Sequence, residues 1–129
     1  MKSGLIYILI LVQSYFPLSG DVQMSSDIAL GDWVSTSGSR IVRIYREGNK
    51  YLGHIIRSNN PEEVSKIILW DLVYDTKANE WKDGKIQLPE MDHSVECFVV
   101  ADGKDSLKIT GYHGWRIFGK TEPYLRYVD

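Results

Sequence analysis

The chain has 129 residues, of which 43% are hydrophobic, 25% charged and 12% aromatic, enough for one domain around one core and too few for two of ordinary size. This composition, without repeats or biased tracts, sets aside disorder and solenoid architectures. Its 15 basic residues are scattered among 17 acidic ones, which leaves no basic patch for nucleic acid or for an anionic membrane surface.

The first element is a targeting segment rather than part of a fold. Lys2 precedes an apolar run from Gly4 to Val12, which continues to Phe16 and ends in Pro17-Leu18-Ser19-Gly20. This is the charged, apolar and small-residue order of a secretory signal. The run is about a dozen residues long, whereas a membrane-spanning helix needs roughly 20. The sequence therefore predicts a signal peptide over residues 1–20 and one domain over 21–129, periplasmic or extracellular, with no stable membrane span after cleavage; an uncleaved N-terminal tether is the alternative. Exported small domains often rely on disulfides, but Cys97 is the single cysteine and cannot form an internal bridge. Stability has to come from packing.

From residue 30 onward, short runs rich in β-branched and aromatic residues alternate with turn chemistry, as in a sandwich or barrel. Strands are expected near 32–36, 40–46, 50–58, 65–74, 84–88, 94–101, 106–112 and 122–128. Ser37-Gly38-Ser39, Glu47-Gly48-Asn49 and Asp102-Gly103 supply the positive φ of tight hairpins, while Pro61, Pro89 and Pro123 mark element boundaries. Pro61-Glu62-Glu63 opens like a helix, so a short helical turn over 61–65 competes with extended chain there. Every connection is short enough to join antiparallel neighbours. The fold expected is all-β, a small closed up-and-down barrel of about eight strands.

Several of these residues carry a family resemblance. Gly31-x-Trp33, Val42-x-Ile44-Tyr45, Gly48, Tyr51-x-Gly53-x-Ile55, Trp81-x-Asp83-Gly84-Lys85-Ile86-x-x-Pro89, Leu107-x-Ile109-x-Gly111-Tyr112, Phe118-Gly119-Lys120-Thr121 and Tyr124-x-Arg126 follow the order seen in domain of unknown function 2147. The chain resembles that family of small exported bacterial proteins from about Ile28 to Asp129. The resemblance implies a lipocalin-like (calycin-like) barrel and brings no established activity. The Arg-rich part that usually follows Asn-Pro in the family is replaced by Glu62-Glu63-Val64-Ser65-Lys66. In lipocalin-like folds a Gly-x-Trp on the first strand sits at the closed base under an Arg of the last strand; the resemblance gives those structural roles to Trp33 and Arg126.

Alternation along the strands places Trp33, Val42, Ile44, Tyr51, Gly53, Ile55, Ile86, Val95, Cys97, Val99, Leu107, Ile109 and Gly111 on the inner face. An eight-stranded barrel either fills this space with its own side chains or holds one small ligand. Tyr51, Cys97 and Tyr124 are the expected ligand-lining residues. Catalytic patterns are thin: His93 and Cys97 lie about 13 Å apart along one strand. His54, His93 and His113 fall on separate elements without metal-ligand spacing, and Glu90, Asp92 and Glu96 read as solvated. No metal or other cofactor is expected. Trp70, Trp81, Trp115, Tyr74 and Tyr112 read as exposed aromatics with two alternatives, large side chains that help close the barrel and cover its hairpins, or a surface at which a protein partner would dock. The function expected is binding of a small apolar or amphipathic molecule, with an envelope interaction or structural module of filled core as the alternative and an enzyme third.

Overall fold

The computed structural model describes residues 25–129, and the predicted signal segment lies outside them. The described chain forms eight strands: β1 (Gly31–Ser35), β2 (Arg40–Glu47), β3 (Lys50–Ser58), β4 (Ile67–Asp75), β5 (Glu80–Ile86), β6 (Val95–Ala101), β7 (Ser106–Tyr112) and β8 (Lys120–Arg126). Each pairs antiparallel with its successor, and β8 returns to β1, so the sheet is a closed barrel. Closure leaves no unpaired sheet edge. The seam is short, with Trp33 opposite Arg126, Val34 opposite Leu125 and Ser35 opposite Tyr124.

The expected strand over 84–88 is corrected. β5 begins at Glu80, because Asp83, at φ 63°, is absorbed inside the strand, where the register shifts between Trp81 and Gly84. Such a bulge tightens the twist and lets an Asp-Gly pair stay within a strand. Asp71, at φ 65°, interrupts β4 in the same way, and Leu69 and Leu72 on either side of it are both buried. The competition at residue 61 resolves into both outcomes in series. Pro61–Glu63 is a single 3-10 turn whose Glu62 N–H donates to Asn60 Oδ1 at 3.1 Å, and the strand follows from Ile67.

The up-and-down order divides the barrel into two ends. At the base lie the β2–β3, β4–β5 and β6–β7 connections and a 3-10 turn over Ser26–Ala29. At the opposite end, the mouth, lie the β1–β2, β3–β4, β5–β6 and β7–β8 connections. Beneath the mouth the interior is packed solid: Trp33, Ile55, Leu69, Cys97 and Leu107 are wholly enclosed, and Val42, Trp81 and Val99 nearly so. Of the inward positions read from alternation, all are buried except Val95 and Gly111, which are half-buried. Those two face the mouth.

Candidate functional site

The mouth holds a cavity of about 460 Å³. One wall is apolar and comes from β5, β6, β7 and the β5–β6 loop: Ile86, Leu88, Met91, Val95, Ile109 and Gly111. The other belongs mainly to β8, with Lys120, Glu122 and Tyr124, and to Thr36 and Glu90 at the rim. Cross-strand register explains the second wall. Tyr124 faces Leu107, Glu122 faces Ile109 and Lys120 faces Gly111. Directly opposed residues share a face of the sheet, so all three point inward, with Tyr124 deepest and Lys120 outermost. Gly111 helps make the space, since a Cβ there would lie 3.3 Å from methyls of both Ile86 and Val95.

The mouth is roofed on one side. Arg40, the first residue of β2, gives its guanidinium to Glu63 in the β3–β4 connection (2.9 and 3.2 Å) and to Glu90 in the β5–β6 loop (2.7 Å). Ser58 adds a hydrogen bond to Glu63 at 2.7 Å. These donors draw the Glu63 carboxyl down to about 2, and hydrogen bonding to Arg40 also lowers that of Glu90. Three connections are thereby tied together, and Glu90 is fixed as part of the cavity rim. Burial raises the Tyr124 hydroxyl well above the ordinary tyrosine range, with Glu122 and Glu90 acting in the same direction and Arg40 against them. It is a protonated donor at neutral pH.

The base has its own set of bonds. Arg126 lies over the Trp33 ring, its Cζ 4.2 Å from the ring centroid. The same head donates to the carbonyls of Leu30 (3.0 Å), Ile28 (2.7 Å) and Lys104 (2.7 and 3.0 Å), and Trp33 Nε1 donates to Ala29 at 2.9 Å. Gly31 is required beneath it. Its φ is 122°, and a Cβ would stand 2.8 Å from Arg126 Nη1.

Of the three residues expected to line a ligand space, Tyr124 borders the cavity and Tyr51 and Cys97 do not. Tyr51 is at the base, its hydroxyl 3.4 Å from Asp27 and its ring edge-on to Trp81. Cys97 is fully enclosed, with burial pushing its thiol up to about 12. Glu122 and Lys120 were missed, although alternation from Tyr124 places both on the inner face. The reading of Trp81 as an exposed aromatic is corrected too: it is 1% exposed, because the earlier start of β5 turns it into the core. Trp70, Tyr74 and Tyr112 are half-buried. Trp115 alone of the set is open, at 74%, and stands with Ile117 and Phe118 on the β7–β8 loop. That loop is strapped to the barrel wall by Arg116, which pairs with both oxygens of buried Glu80 and lies 4.0 Å from the Phe98 ring centroid. Among the described residues no three His, Cys, Asp or Glu side chains gather as a metal site, and no helix is long and apolar enough to cross a membrane.

The eight-stranded antiparallel barrel, with its interior filled below an open mouth, has a lipocalin-like fold. The fold is shared with protein HP1028 from Helicobacter pylori, described as belonging to the lipocalin family, with a TM-score of 0.63 and 18% identity over 78% of this chain and 84% of that one. The chain belongs to the family of uncharacterised proteins conserved in bacteria, DUF2147, whose pattern matches residues 31–126. No curated protein matches it in sequence.

Proposed function

We propose that this protein is an exported, non-catalytic binding protein that holds one small apolar or amphipathic molecule in the mouth of its barrel. The observation that carries the reading is the cavity of about 460 Å³ between an apolar wall and a polar one. Its size falls within the roughly 300–1,000 Å³ of small-molecule sites, and its make-up, mostly apolar with a few convergent polar groups, matches theirs. Export rests on Lys2 and the apolar run behind it. The non-catalytic part draws on Cys97, whose enclosed, protonated thiol is unsuited to nucleophilic attack.

The runner-up, an interaction module, has the exposed Trp115, Ile117 and Phe118 in its favour, and it does not account for the cavity. One titration separates the two. The neutral dye N-phenyl-1-naphthylamine, added to the folded protein, should brighten saturably at one site. Val95→Trp, which fills the mouth from a half-buried position, should abolish that signal, and joint replacement of Trp115, Ile117 and Phe118 by Ser should preserve it. Loss of the signal in the loop variant with retention in Val95→Trp would overturn the proposal.

A further inference from the structure

We infer that the mouth selects amphiphiles whose polar head is a cationic nitrogen, with Glu122 as the residue that reads the charge. The inference rests on the binding function proposed above and adds the chemical class of the ligand.

Glu122 is an unusual residue to find on this wall. It points inward opposite Ile109, half-buried, one level above the enclosed Tyr124 ring. Ile86, Val95 and Met91 line the same cavity. Among the described residues it has neither a hydrogen-bond donor nor a salt-bridge partner. A carboxylate set into an apolar recess without a partner is costly unless something donates to it. Water does so while the mouth is open. A ligand whose apolar body covers the β5–β7 wall expels that water and must supply a donor or positive charge in its place.

The ion cluster at the rim favours the same sign, because one Arg40 guanidinium stands between two carboxylates, Glu63 and Glu90. Glu90 is held at the rim by Arg40, so a second carboxylate borders the cavity in a fixed position. Lys120 is the counterargument, since an anionic head would pair with it. Yet Lys120 stands opposite Gly111, two residues farther out than Glu122, and is exposed, so an anion reaching it would remain in water. The same anion would share the cavity with the carboxylates of Glu122 and Glu90. Arg40 is already engaged, since its Nε and Nη2 donate to Glu63 and Glu90 and its Nη1 reaches Glu90 at 3.5 Å, so its charge is more than matched by the two carboxylates it holds.

Calorimetric titration of the full chain with decyltrimethylammonium, decanol and decanoate, each below its micellar concentration and near neutral pH, tests this. The tails are alike, so the comparison reads the head group. The cation should bind at least about tenfold more tightly than decanoate, with decanol between them. Glu122→Gln keeps the side chain's size and should collapse the difference, while its unchanged affinity for decanol reports an intact mouth. Lys120→Gln should leave the order in place. Decanoate binding as well as the cation, or a preference that survives Glu122→Gln, would overturn the inference and leave the binding function standing. Failure of all three probes to bind would overturn both.

Discussion

Two enclosed side chains carry polar groups that packing seals from solvent. Cys97 has no exposed surface and its thiol is pushed up to about 12 by desolvation. It should resist a thiol reagent such as dithiobis-nitrobenzoate in the native protein and react once urea unfolds the chain. Reaction at native rates comparable to a free thiol would show that the barrel opens locally at β6. Trp81 is the other case: the indole is enclosed against Tyr51 and Tyr74, and its Nε1 has no acceptor among the described residues. A buried orphan donor costs about 1–3 kcal/mol, which offsets part of the packing the ring supplies. Trp81→Phe should therefore lower stability by under about 2 kcal/mol in urea melts, whereas Trp81→Ala should lose about 3–5 kcal/mol as a large side chain is deleted.

Among the elements, the tie between Arg40, Glu63 and Glu90 governs how the protein responds to acid. Glu63 is held at about 2 by hydrogen bonds from Arg40 and Ser58, below its ordinary 4.5. A carboxylate lowered by folding stabilises the native state above its unfolded value, and that contribution fades as the pH falls from about 4.5 to about 2. Glu90, Asp32 and Asp75 are lowered as well, so the whole protein should weaken over this range. Glu63→Gln should be less stable than the parent at neutral pH and flatter between pH 5 and 2, read as the urea midpoint at each pH; an unchanged slope would mean that the tie is not formed in solution. This tie also shows the reach of the sequence. Asn60-Pro61-Glu62-Glu63 announces a turn through local chemistry, but the partner of Glu63 stands 23 residues away, and no periodicity encodes it. Strand positions were legible because alternation reports burial directly. The Asp71 and Asp83 bulges were not, since an Asp in a left-handed conformation looks the same in sequence whether it ends a strand or kinks one. Glu122 was legible from Tyr124 two residues on, and its polarity is what kept it out of an apolar inner face.

At the scale of the whole molecule, the barrel is closed by a short seam, and that seam is held from beneath. β1 and β8 share three paired positions, whereas β2 and β3 share eight. The ladder alone is a weak joint. Arg126 supplements it by stacking on Trp33 at 4.2 Å and bonding the carbonyls of Ile28, Leu30 and Lys104, so one head joins the last strand, the chain before the first and the β6–β7 turn. The guanidinium can do this because it is planar, weakly hydrated and holds its donors in a fixed fork, whereas an ammonium is compact, strongly hydrated and has only three rotatable donors. Arg126→Lys should lower stability by about 2 kcal/mol at unchanged net charge, the sum of a partly desolvated cation–π contact and weakened hydrogen bonds. Trp33→Leu should cost more, about 3 kcal/mol, since it removes ring volume from a filled base together with the bond from Nε1 to Ala29. The stacking contact is common to both losses and can be removed only once. The double variant should therefore fall short of additivity by about 1 kcal/mol in a urea-denaturation cycle. Full additivity would mean that the two residues stabilise the barrel independently, and that its closure rests on the three-pair ladder after all.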